Sequence, residues 1–287
     1  ARYIKVYNLT NDFVNANLHE GNLSLRLMPG KWFKKSKLWL QNLSNQFNLR
    51  LLQQNNSNSL LVLNPFNQDT QILSGNTLLR NSLLYNAPKL GAELTFKRSE
   101  VKQLLTFGSE NIISENYIAK FRYNYKSNWQ IDISNRLENR ALINPFFDNR
   151  NYDWRGNNSE LILSWQNLNS RLSLKGGYVQ GNGKEFGTDS IEEKTIEMGL
   201  QYFLNISDET NLDISLNRNQ VAFNGNSNSP LGFQILNGQT EGINLLWSFN
   251  VRTLISKNIQ MTIGYEGRSI PGLPIVHIGR AEARYLF

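Results

Sequence analysis

The chain has 287 residues, no cysteine and only two histidines, His19 and His277. Without cysteine there is no disulfide, no thiolate metal site and no cysteine nucleophile. A Ser-His-Asp hydrolase needs an imidazole placed beside a serine or an acid. His19 precedes Glu20, and His277 lies near the start of the last apolar-alternating segment. Both read as interfacial or rim residues, so no catalytic residue and no enzyme are expected. Charge is also scarce, at 18% Asp, Glu, Lys and Arg, against about 25% in ordinary globular domains. No stretch approaches the roughly 18 consecutive apolar residues of a transmembrane helix. That test does not see a β-barrel, in which alternate residues face water.

The net charge is +7 and the pI about 9.5. The basic residues are scattered, with no stripe of the kind nucleic acid needs, so no nucleic-acid partner is expected. The nearest cluster, Lys31, Lys34, Lys35 and Lys37, resembles a turn at a membrane surface. Asp189, Glu192 and Glu193 lack the ligand spacing of a calcium loop. Gly181-Asn182-Gly183 lacks the strand-to-helix setting of a phosphate loop. No metal or cofactor is therefore expected.

What the chain has in abundance is alternation. Tyr117, Ala119, Phe121, Tyr123 and Tyr125 share one parity, opposite Lys120, Arg122 and Asn124. After Lys126-Ser127-Asn128 the pattern restarts, with Trp129, Ile131, Ile133 and Leu137 against Gln130, Asp132, Ser134 and Arg136. Side chains alternate faces along a strand, so this is a hairpin with one apolar and one polar face. Each arm is about ten residues, enough to cross a bilayer at a tilt, and its aromatics fall where interfacial belts stand.

The pattern repeats. Leu23, Leu25 and Leu27 alternate, then Leu43, Phe47, Leu49 and Leu51, then Leu79, Leu83 and Tyr85, then Ala92, Leu94 and Phe96. Later come Leu161, Leu163 and Trp165; Leu172, Leu174 and Tyr178; and Ile196, Met198, Leu200, Tyr202 and Leu204. Leu212, Ile214 and Leu216 follow, then Ile243 to Val251, Ile259 to Tyr265, and Ala281 to Phe287. Short turns near Pro29, Pro88, Ser127, Leu168, Asp208 and Ile255 alternate with long loops near Asn58, Asn149, Asn182, Asn228 and Gly272. Antiparallel strands then place all short turns on one side. Outer-membrane barrels have that layout. Arg98 to Glu115 reads as one loop and Asn139 to Gly156 as another.

The expected fold is all-β: a closed antiparallel transmembrane barrel of about fourteen strands, with about sixteen as the fallback. It forms one domain over 1–287. Closure is the physical requirement, because an unpaired strand edge cannot stand in hydrocarbon.

The terminal Tyr285-Leu286-Phe287 resembles the signal by which outer-membrane barrels are handed to their insertion machinery. Gly264-Tyr265-Glu266-Gly267-Arg268-Ser269 and Val276-His277-Ile278-Gly279-Arg280 resemble the C-terminal barrel domain of large Bacteroidota outer-membrane proteins. That resemblance implies the bacterial cell outer membrane, contact with its lipid and with the insertion machinery, and a longer polypeptide whose upstream domain the barrel carries. The expected work is anchoring or scaffolding of surface domains or partner subunits. The alternative is a diffusion pore or substrate channel through a polar lumen. Phe146, Phe147, Tyr152 and Trp154, in the aromatic loop, are the expected outer contacts with protein partners.

Overall fold

A computed structural model describes residues 5–13, 16–28, 42–55, 72–105, 108–185, 187, 190–236 and 238–285. The strands are β1 (Lys5–Phe13), β2 (Ala16–Leu27), β3 (Leu43–Asn55), β4 (Ile72–Asn86), β5 (Leu90–Leu105), β6 (Gly108–Tyr125) and β7 (Trp129–Ile143). They continue as β8 (Tyr152–Gln166), β9 (Ser170–Glu185), β10 (Ile191–Ser207), β11 (Thr210–Phe223), β12 (Gly242–Ser256), β13 (Ile259–Ser269) and β14 (Val276–Tyr285). One helix, α1 (Pro230–Leu236), interrupts the β11–β12 connection. The strands hydrogen-bond in chain order from β1 to β14. Among the described residues no pairing joins β14 to β1.

The chain falls into two compact units. One comprises residues 1–121, 135–157 and 181–191; the other comprises 122–134, 158–180 and 192–287. In the first, the register sets Leu43 opposite Tyr85, Leu49 opposite Leu79 and Leu83 opposite Leu94, so like residues share a face. In the second, Leu216 meets Trp247, Phe249 meets Tyr265, and Ile263 meets Ala281.

Burial is inverted relative to a water-soluble sheet. In the first unit Leu94 is 58% exposed, while Ser82 on the other face is 1% exposed. In the second, Met198 and Leu216 are exposed and Ser164 is buried. The polar sides are tied by side-chain hydrogen bonds. Thr95 Oγ1 donates to Ser82 Oγ at 2.7 Å in the first unit; Ser164 and Ser173, and Ser215 and Ser248, pair in the second. Large apolar side chains facing outward suit a hydrocarbon solvent, where they cost nothing to expose. Among the described residues no helix is long and apolar enough to cross a membrane.

The strands run from 9 to 18 residues, most of them longer than the roughly 9–11 residues that a bilayer crossing requires, and this changes several expected boundaries. Arg98 to Glu115 is not one loop: β5 continues to Leu105 and β6 begins at Gly108. Cross-strand polar pairs hold this extension, with Arg98 at 3.2 Å from Glu115 and Asn111 Nδ2 donating to Glu100. The aromatic loop shrinks to 144–151, because β7 runs to Ile143 and β8 starts at Tyr152. Gly181 to Glu185 is strand as well. The Lys31–Lys37 cluster and Phe287 lie outside the described residues.

The short turns are compact. Asn167 Oδ1 accepts from the backbone N–H of Asn169 and Ser170 and from Ser170 Oγ, which leaves Leu168 at the tip 99% exposed. Lys126 takes a left-handed φ of 56° in the β6–β7 turn, as tight hairpins demand.

Candidate functional site

In the first unit the 144–151 loop is built on two asparagines. Asn144 is buried, and its Oδ1 accepts from the N–H of Phe146 and of Phe147, both at 3.0 Å. Asn151 clamps it from the other end: its Oδ1 accepts from Asn144 N, and its Nδ2 donates to Asn144 O at 3.1 Å. A single 3₁₀ turn, Asp148–Arg150, closes the loop. Arg150 then reaches Glu110 on β6 at 2.9 Å. Asparagine suits this work because its short amide satisfies turn N–H groups that have no ladder partner. The result is a rigid projection. Phe146 is 67% exposed at its crest and Phe147 40%.

Tyr152 and Trp154, expected beside them as partner contacts, are not available. They are 5% and 6% exposed. Trp154 lies in a cradle of three glycines: a Cβ on Gly181 would stand 2.0 Å from its ring, one on Gly183 2.7 Å and one on Gly156 3.0 Å. Tyr152 sits at the loop end of β8, well before the outward apolar side chains that begin at Leu161. Burial pushes its hydroxyl pKa up, opposed by nearby Arg140. These two aromatics are packing residues. Phe146 and Phe147 are the exposed aromatics of the loop.

In the second unit the β11–β12 connection is also folded. Ser229 Oγ accepts from Gly232 N at 3.0 Å and so caps α1. Leu231 and Leu236 are buried, and Phe233 points away at 70% exposure. Glu193 stands at the loop end of β10, ahead of the outward apolar residues that begin at Ile196. Burial pushes its carboxyl up to about 7, opposed by the hydrogen bond from Thr195 Oγ1 and aided by Glu197. Of the acidic trio considered for calcium, Glu192 has an exposed side chain and Asp189 lies outside the described residues. Among the described residues no cluster of three metal-ligating side chains occurs.

On the polar side of the same unit Lys175 bridges two carboxylates, Glu160 at 2.8 Å and Glu197 at 2.9 Å. At the short-turn end a polar cavity of about 410 Å³ is lined by Arg171, Ser173, Gln201 and Asp213, among others. His277 lies on β14 against aromatic neighbours. Its Nδ1 is 2.8 Å from Tyr265 OH and its ring 5.9 Å from that of Trp247. The cluster is aromatic, with Trp247 laid over Gly267. Tyr285, the described half of the expected insertion signal, pairs with Ile259 and is 57% exposed.

No family model matches the chain, and no curated protein does. Solved structures do match. The siderophore receptor PirA of Pseudomonas aeruginosa aligns with a TM-score of 0.63 at 10% identity, over 91% of this chain and 43% of the receptor. PirA of Acinetobacter baumannii aligns equally, at 9% identity over 91% and 41%. The ferric-catecholate import receptor Fiu of E. coli K12 gives a TM-score of 0.61 at 8% identity, over 93% and 55%. The chain thus spans about half the length of the receptors it matches. At these identities the likeness is one of fold: an antiparallel all-β sheet of the outer-membrane β-barrel kind.

Proposed function

We propose that the chain is the wall of an outer-membrane β-barrel that anchors or scaffolds surface domains or partner subunits, and that it contacts them through Phe146 and Phe147. Closure of the sheet in the membrane, into a barrel of about fourteen strands, follows from the need to pair every strand edge in hydrocarbon. Placement in the large Bacteroidota proteins, with a domain carried upstream, rests on the resemblance of residues 264–280. The observation that carries the anchoring role is the Phe pair. Two large aromatics held out on a loop fixed by Asn144, Asn151 and Arg150 have already lost the conformational freedom that binding would otherwise remove. Aromatic anchors of this kind dominate interface energies.

The F146D/F147D variant, expressed in the native membrane, is expected to insert normally. It should lose its complexes on native gels, with affinity for the partner down on the order of a hundredfold, about 3 kcal/mol. Complexes that survive the substitution would defeat the docking role of this loop.

A second reading, a substrate channel, is favoured by the polar cavity around Arg171 and Asp213 and by the likeness in fold to import receptors. Planar-bilayer recording separates the two. The anchoring reading expects no resolved conductance, with charged groups such as the Glu160–Lys175–Glu197 bridge occupying the polar side. Stable single-channel steps would favour the channel.

A further inference from the structure

Asn45 and Asn81 stand on the apolar side of the first unit, where hydrocarbon is the expected solvent. Asn45 faces Leu83 across the β3–β4 ladder, Asn81 faces Phe47, and on β5 Asn81 meets Phe96. The two amides make one bond, from Asn45 Nδ2 to Asn81 Oδ1 at 2.8 Å. Among the described residues nothing else engages them. The balance is one carbonyl oxygen without a donor and amide N–H groups without an acceptor; turning both amides over together leaves it unchanged, and turning one alone would lose the bond. In a bilayer each unmet group is costly, since acyl chains offer neither donor nor acceptor.

These amides line a groove of about 340 Å³, with Leu83, Leu94, Phe96 and Tyr117 among its walls. The Phe96 and Tyr117 rings lie 5.1 Å apart and form one side. Leu94 is 58% exposed. The groove is mostly apolar, with Asn45 and Asn81, Thr95, and Asn135 (bonded to Asn157) as its polar lining. A second broad sheet face laid over it would cover the concavity without filling it. A single flexible acyl chain suits such a concavity.

We propose that this groove is a lipid site, and that it selects a lipid bearing an amide or a hydroxyl in its acyl region over a diester phospholipid. The proposal rests on the outer-membrane reading above. Its basis is the sign of the unmet groups. An ester supplies only acceptors and leaves the free asparagine carbonyl unpaired. An amide or hydroxyl both donates and accepts, so it meets both needs at once. Intramembrane polar residues commonly mark such functions.

The test uses the purified chain in nanodiscs that contain equal amounts of a ceramide, as the amide- and hydroxyl-bearing probe, and a diester phosphatidylethanolamine of matched chain length. Retained lipid is counted by native mass spectrometry. The wild type is expected to retain ceramide on the order of tenfold over the diester, as two modest hydrogen bonds imply. N45L/N81L should abolish the preference and keep its heat-dependent gel shift, because leucine suits the lipid-facing side. Equal retention by the wild type, or a preference that persists in N45L/N81L, overturns the proposal. So does a wild-type dimer that N45L/N81L dissolves, which would give the groove to a second copy. A protein that shows no heat-dependent shift and does not enter nanodiscs overturns the membrane reading itself, a result distinct from equal retention in an inserted protein.

Discussion

Gly181→Ala is expected to destabilise the protein by about 3 kcal/mol, although it adds one methyl group. The methyl would sit 2.0 Å from Cζ2 of Trp154 and 2.7 Å from Cε2. The indole has nowhere to retreat. A methyl-sized space on Gly183 is already excluded at 2.7 Å from the ring and 2.4 Å from Asp153 O, and Gly156 holds the indole nitrogen side at 3.0 Å. Strand pairing prevents the backbone from yielding. Trp154→Ala removes a ring that is 6% exposed and should cost about 3–5 kcal/mol.

The pair decides the mechanism. If the cost at Gly181 is the clash with this ring, the double variant should be no worse than Trp154→Ala alone, a coupling of about 3 kcal/mol. The temperature at which the unheated form converts to the boiled mobility on a gel reads all three. Additive losses would show that Gly181 is needed for some other reason.

Lys175→Met should be the costliest change on the polar side. Lys175 holds Glu160 and Glu197 at 2.8 and 2.9 Å, and the two carboxylates have side chains only 27% and 23% exposed. Without the ammonium, two half-buried like charges face one another. Breaking a fully buried ion group in this way costs about 3–5 kcal/mol. The partial exposure of this one reduces the expectation to about 2 kcal/mol. The local sequence supports the arrangement. A Cβ on Gly177 would stand 3.1 Å from Glu197 Oε2, and one on Gly199 3.3 Å from Lys175 Cβ, so glycine at both positions makes room for the bridge. Adding E160Q and E197Q to Lys175→Met should recover most of the loss, because neutral amides need no counter-charge. A loss under about 0.5 kcal/mol for the single variant would mean that water already screens these charges.

The alternation of side chains was legible residue by residue, because a strand with one apolar and one polar face shows its period of two directly. Tyr117 to Tyr125 and Trp129 to Leu137 are β6 and β7 as their parity indicates. Where strands rise beyond the apolar band the same rule fails. Arg98, Glu100, Asn111 and Glu115 are polar and read as loop, yet backbone pairing and the Arg98–Glu115 contact keep them in strand. Asn45 shares the parity of Leu43 and Phe47 and passes unnoticed in a pattern count. Its importance appears only when Asn81, on the next strand, is found bonded to it.

By itself, then, the sequence determined the all-β class, the strand faces and the short turns, since each depends on the chemistry of neighbours a few residues apart. Only the tertiary structure decided which aromatics are packing and which are presented. Trp154 and Phe146 are equally apolar and eight residues apart. One is buried because three glycines leave a ring-sized hollow at its strand, and the other is exposed because Asn144 folds the loop beneath it. Burial is a property of what a side chain meets, and for Trp154 that includes Gly181 and Gly183 on another strand.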